Sequence, residues 1–77
     1  MKTLIYSKIY QRPTLEEAQK IVGGYIEVLT IRDGKMQILC NENGMVEGVG
    51  INDEASEIAG FPIAGNAIIL SESAIWD

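Results

Sequence analysis

Tyr6, Lys8 and Tyr10 recur at every second position near the start of the chain, with Arg12 one step beyond. In an extended strand that spacing brings them to one face, because successive side chains alternate. Two phenols flanked by two cations suit a flat anionic molecule: aromatic faces stack a ring and cations hold phosphate. The same alternation also suits an exposed edge strand, where Tyr and Lys are both favoured. Asn66, after Gly65, either offers a carboxamide to a base edge or completes a turn. Tyr6, Lys8, Tyr10, Arg12 and Asn66 are the candidate ligand-binding residues.

Catalytic chemistry has less to draw on. The chain has no histidine and one cysteine, Cys40, which excludes a Ser-His-Asp triad, a Cys-His dyad, a zinc finger and an internal disulfide. Glu16/Glu17, Asp53/Glu54/Glu57 and Glu42/Glu47 are carboxylate clusters, but the first two open helices, where capping and the helix dipole already favour acids. The expectation is no enzyme, no cofactor and no metal. Gly44 to Gly50 is glycine-rich yet matches neither the P-loop nor the dinucleotide fingerprint. It reads as a twisted or bulged strand more readily than as a phosphate cradle. Cys40 ends an apolar strand with no cation beside it in sequence and reads as an inert, buried side chain. Trp76 either packs back onto the domain or anchors a partner.

The elements that would position these residues are legible from periodicity and breakers. Lys2 to Tyr10 alternates as a strand and is broken by Gln11-Arg12-Pro13. Thr14-Leu15-Glu16-Glu17 is a capping box that opens a helix, with Leu15, Ala18, Ile21 and Val22 at helical spacing and Gly23-Gly24 as its stop. Tyr25 to Ile31 and Lys35 to Cys40 flank Asp33-Gly34, a hairpin turn signal that sets Ile31 opposite Met36 and Val28 opposite Leu39. Met45 to Val49 reads as a short strand and Asn52 as the cap of a helix over Asp53 to Ala59. Ala67 to Leu70 reads as a strand buried on both faces, and Ser71 to Asp77 as a polar tail. The order β-α-β-β-β-α-β predicts a single α+β domain over residues 1–77, with a four- or five-stranded antiparallel or mixed sheet and two short helices.

The 77 residues are 47% hydrophobic with net charge -5, which fits one folded domain and disfavours nonspecific binding to nucleic acid or anionic membrane. Charge is uneven: residues 1–22 carry +2 and residues 23–77 carry -7. No apolar run reaches the ~18 residues of a membrane span, and the N-terminus lacks the pattern of a signal peptide, so a cytoplasmic location is expected.

The run Leu15 to Glu27, together with Asn41-Glu42-Asn43-Gly44, Asn52-Asp53-Glu54-Ala55 and Ile63 to Ile69, resembles a family of small uncharacterised phage and mobile-element proteins. The resemblance spans roughly residues 14 to 70 and implies a setting in the bacterial host cell. Small accessory phage proteins include counter-defence factors, among them oligomeric sponges for nucleotide immune signals. The expected function is therefore non-enzymatic, homo-oligomeric sequestration of a small anionic, nucleotide-type ligand, with Lys8 and Arg12 on its anionic groups and a neighbouring subunit closing the pocket. The alternative is an acidic protein-binding inhibitor of a host defence enzyme, with DNA mimicry as one route. Self-association is expected because two short helices can cover only one side of the sheet, leaving Ile26, Val28, Leu39 and either Ile68 and Leu70 or Ala67 and Ile69 uncovered.

Overall fold

A computed structural model describes residues 1–77. Strand β1 (Thr3–Tyr6) leads through a 3-10 turn at Ile9–Gln11 to helix α1 (Leu15–Val22). The hairpin of β2 (Ile26–Ile31) and β3 (Met36–Asn41) follows, then two helices, α2 (Gly44–Glu47) and α3 (Asp53–Ala59). Strand β4 (Ala67–Ser71) and a 3-10 turn at Glu72–Ala74 close the chain. The four strands form one mixed sheet in the order β1-β4-β3-β2, with β1 parallel to β4 and the other neighbours antiparallel. The α+β class and the mixed four-stranded sheet agree with the sequence expectation.

Helix α1 forms where its signals lie. The Thr14 hydroxyl accepts from the Glu17 N–H at 3.1 Å, and the Glu17 carboxylate accepts from the Thr14 N–H at 2.8 Å. The hairpin register is also the expected one, with Ile31 opposite Met36 and Val28 opposite Leu39. Asp33 and Gly34 both hold positive φ, 55° and 83°, as the turn demands.

Three expectations are corrected. The first strand stops at Tyr6, so Tyr6, Lys8 and Tyr10 do not share a strand face. Past Tyr6, which pairs with Leu70, the Gln11 side chain gathers the chain instead: its Oε1 accepts from the N–H groups of Ser7 and Lys8, both at 3.0 Å. The Gln11 N–H returns to the Lys8 carbonyl at 2.9 Å and closes the turn.

Second, Met45 to Val49 is no strand. Its first residues belong to α2, where the Glu47 N–H donates to the Asn43 carbonyl at 2.8 Å and Gly48 ends the turn at a φ of 67°. Gly44 lies so close to Ala64 that an added Cβ would meet the Ala64 Cβ at 3.2 Å.

Third, the helices lie on opposite faces of the sheet. Ala18 and Val22 of α1 pack with Leu39, Ile68 and Leu70, whereas Ala55 of α3 packs with Ile38, Cys40, Ile63 and Ile69. The doubly apolar strands β3 and β4 are thus the two central ones, covered on both sides as such strands require. Leu39 is fully buried, and Val28, at the edge, stays 42% exposed. The premise of an uncovered sheet face therefore fails.

The chain's last residues fold back on the domain. The Gln37 carboxamide clasps Trp76 by both backbone groups, accepting from its N–H at 2.7 Å and donating to its carbonyl at 3.0 Å. The Trp76 indole N–H donates to the Pro13 carbonyl at 3.1 Å. Of the two sequence readings for Trp76, packing onto the domain is the one observed.

Candidate anion-binding cleft

Two opposite ends of β1 hold the residues singled out from sequence. At its C-terminal end, Tyr6 packs half-buried against the core on the α1 side, and Lys8, two residues beyond, is exposed. Tyr10 is 82% exposed on the 3-10 turn. Arg12 turns towards the C-terminal segment: its Nη2 donates to the Ser73 carbonyl at 3.1 Å, and its Nη1 lies 3.9 Å from the Asp77 carboxylate. That arginine straps the two ends of the domain together. The geometry provides no common platform for these four residues.

Asn66 lies at the other end of β1, just ahead of β4. Its Oδ1 accepts from the Lys2 N–H at 2.7 Å, and its Nδ2 donates to the Ile21 carbonyl at 2.9 Å. The second bond satisfies one of the carbonyls that a helix C-terminus leaves open. One carboxamide thus fixes the start of β1 to the end of α1.

The junction Asn66 makes is a cleft of about 310 Å3, lined by Lys2, Leu4, Lys20, Ile21 and Asn66. A second cleft, of about 280 Å3, shares Asn66 and adds Val22, Val49 and Gly65. Lys2 is anchored through its backbone, since its carbonyl accepts from the Ala67 N–H at 3.0 Å and from Asn52 Nδ2 at 3.2 Å. Lys20 stands in the last turn of α1, where the helix dipole favours a cation. The chain's one ion pair is Arg12 with Asp77, so both cleft lysines are free to hold an external anion. Leu4 and Ile21 supply an apolar wall. No carboxylate, hydroxyl or thiol lines this cleft; its polar groups are the two lysines and the Asn66 carboxamide.

Of the candidate residues named from the sequence, Asn66 alone lines this cleft, and Lys2 and Lys20 are not among them. The available signal was the +2 balance of residues 1–22, to which both lysines contribute. Only the parallel pairing of β1 with β4, and α1 lying over it, turns that balance into a site.

The opposite face carries a groove of different character, floored by Leu29, Phe61 and Ile63 and rimmed by Glu27 and Glu42. Cys40 also borders it, and burial, then the Glu27 charge, pushes its thiol up to about 11. A thiol in that range is protonated at neutral pH, consistent with the inert role expected for it.

No curated protein and no solved structure is significantly similar to the chain. A family model described as a domain of unknown function, DUF3846, matches residues 2–74. That span takes in β1, both sheet-covering helices and the whole sheet, and the chain belongs to this family.

Proposed function

We propose that the chain is a non-enzymatic binder of a small anionic, nucleotide-type ligand, held by Lys2 and Lys20 beside Asn66. The observation that carries this reading is the pair of unpaired lysines at one cleft in a chain of net charge -5. In an acidic protein, a cationic cluster without a close ion-pair partner is where an anion gains most. The volume, near the lower end of the ~300–1,000 Å3 usual for ligand pockets, suits a phosphate with one ring against Leu4 and Ile21. The resemblance to small phage and mobile-element proteins supplies the setting: the cytoplasm of a bacterial host, where sequestering a nucleotide immune signal counters defence.

The test is equilibrium dialysis of the purified chain against AMP and a cyclic dinucleotide, followed by heat release and mass analysis of the ligand. Recovery of intact nucleotide is expected, and a converted product would overturn a binding-only role. A charge-assisted contact contributes about 1.5–3 kcal/mol, so Lys2→Glu with Lys20→Glu should lower affinity at least ten- to a hundredfold. Lys8→Glu and Arg12→Glu serve as the paired comparison. If that second pair abolishes binding and the first leaves it intact, the site lies beyond the far end of β1. Absence of uptake for every nucleotide would turn attention to the acid-rimmed groove and to protein targets.

A further inference from the structure

The outer strand β2 is an open edge with a self-complementary pattern. The Tyr25 carbonyl accepts from the Glu42 N–H at 3.0 Å, which makes these two a hydrogen-bonded pair in the register that sets Ile26 opposite Asn41. Antiparallel ladders alternate hydrogen-bonded with non-hydrogen-bonded pairs. The backbone groups of Ile26, Val28 and Thr30 consequently point away from β3, towards the open edge.

Natural edges are usually blunted by a proline, a lysine, a bulge or a covering element. Ile26 to Ile31 contains no proline or lysine, its single charged residue is Glu27, and its pairing with β3 runs without a bulge. The opposite edge, β1, is shorter at four residues against six, and past Tyr6 it breaks into the 3-10 turn. Of the two edges, β2 is the one shaped to take another strand.

We propose that the occupant is a second copy of this chain, joined about a two-fold axis through Val28 into one continuous eight-stranded antiparallel-centred sheet. With Val28 opposite Val28 of the second copy, Ile26 faces Thr30 and Thr30 faces Ile26. All three outward-pointing residues then meet outward-pointing residues, each pair exchanging two N–H···O bonds. Sliding the strands by two residues loses one of these pairs, and sliding by one residue sets outward groups against groups already bonded to β3.

The side chains agree with the same register. Val28, exposed at 42%, is covered by its own counterpart, and Tyr25, exposed at 72%, falls opposite Ile31, an aromatic against a β-branched residue. Glu27 falls opposite Leu29 instead of opposite its own copy, so no like charges are directly paired. Both cationic clefts end up near the outer edges of the double sheet, each made from one chain. The assembly is therefore independent of the ligand reading, and either can fail alone.

The register is tested by cysteine cross-linking. Directly opposed hydrogen-bonded residues have Cα atoms about 5.5 Å apart, inside the disulfide range. Val28→Cys under mild oxidant should give a covalent dimer. Thr30→Cys, whose two copies would lie roughly 14 Å apart along the strands, should not, and buried Cys40 should leave the parent uncrosslinked. Light scattering should find the parent at twice its 8.4 kDa chain mass, and Val28→Pro, which removes an N–H that β3 does not use, should be a folded monomer by circular dichroism. A parent that stays monomeric at hundreds of micromolar overturns the proposal. So does cross-linking through Thr30→Cys in preference to Val28→Cys, or a Val28→Lys variant that remains dimeric.

Discussion

The two outer strands of the sheet are held by opposite means. β2 is joined to β3 through a tight turn, and its register follows from residues adjacent in sequence. β1 lies beside β4, far away in the chain, and is secured by side-chain amides from distant segments. Asn52, 4% exposed, uses its whole hydrogen-bonding capacity there. Its Oδ1 accepts from the Ala55 N–H and the Thr3 hydroxyl, both at 3.0 Å, and its Nδ2 donates to the carbonyls of Lys2 and Gly65 at 3.2 and 2.9 Å. Asn66 adds the bonds to Lys2 and Ile21. A long-range edge thus depends on a few polar atoms, whereas a local one depends on a turn.

The sharpest way to break that contrast is Asn52→Leu. It removes the cap of α3 and strands several buried partners at once, which should cost about 2–4 kcal/mol. Urea unfolding measures the loss. Amide exchange locates it: Thr3 to Tyr6 should lose protection well before Glu27, Leu29 and Ile31, the β2 residues whose N–H groups face β3. Equal loss across both edges would mean that Asn52 stabilises the domain as a whole and not β1 in particular.

Next in size is Gln37→Leu, which leaves the volume nearly unchanged but frees both backbone groups of Trp76. A cost of about 1–3 kcal/mol follows from the unpaired groups. Trp76 is the only tryptophan, so its fluorescence should shift to the red as the C-terminal segment loosens. An unshifted spectrum would show that the indole bond to Pro13 and apolar packing hold the segment without Gln37.

The same contrast explains what the sequence made legible. The capping box at Thr14, the Asp33-Gly34 turn with its register and the Asn52 cap are all short-range, and each was readable from neighbouring residues. Tyr6-Lys8-Tyr10 misled because alternation signals a strand only where a partner strand continues. Here β4 ends at Ser71, and Gln11 captures the freed backbone. Met45 to Val49 misled for a related reason, since a glycine-interrupted apolar run has no period of its own and Gly44 is fixed by contact with Ala64. The cleft was half legible. Asn66 and the local positive charge were visible, but Lys2 and Lys20 meet only through the β1–β4 pairing and the position of α1.

The smallest expected effect concerns the local side of the comparison, at the entry to α1. The Thr14 N–H, then the Thr14 side chain, hold the Glu17 carboxyl below its ordinary value; desolvation opposes them, and the Lys20 charge adds the smallest contribution in the same direction as Thr14. A depressed folded-state pKa means that this carboxylate stabilises the fold at pH above its unfolded value. That contribution is lost as pH falls through the lower folded value. Glu17→Gln keeps an acceptor for the Thr14 N–H but cannot be charged. Its melting temperature should therefore fall slightly below the parent's at neutral pH, and the gap should close on acidification through the carboxylate range. Because Glu17 is exposed and its attraction to Lys20 is the smallest contribution, added salt should narrow the same gap only slightly. Throughout this titration, β1 exchange protection should stay constant relative to β2, since the capping box touches neither edge. A gap that widens in acid would reverse the sign of the interaction, and a selective loss at β1 would show the helix entry to be coupled to the long-range edge after all.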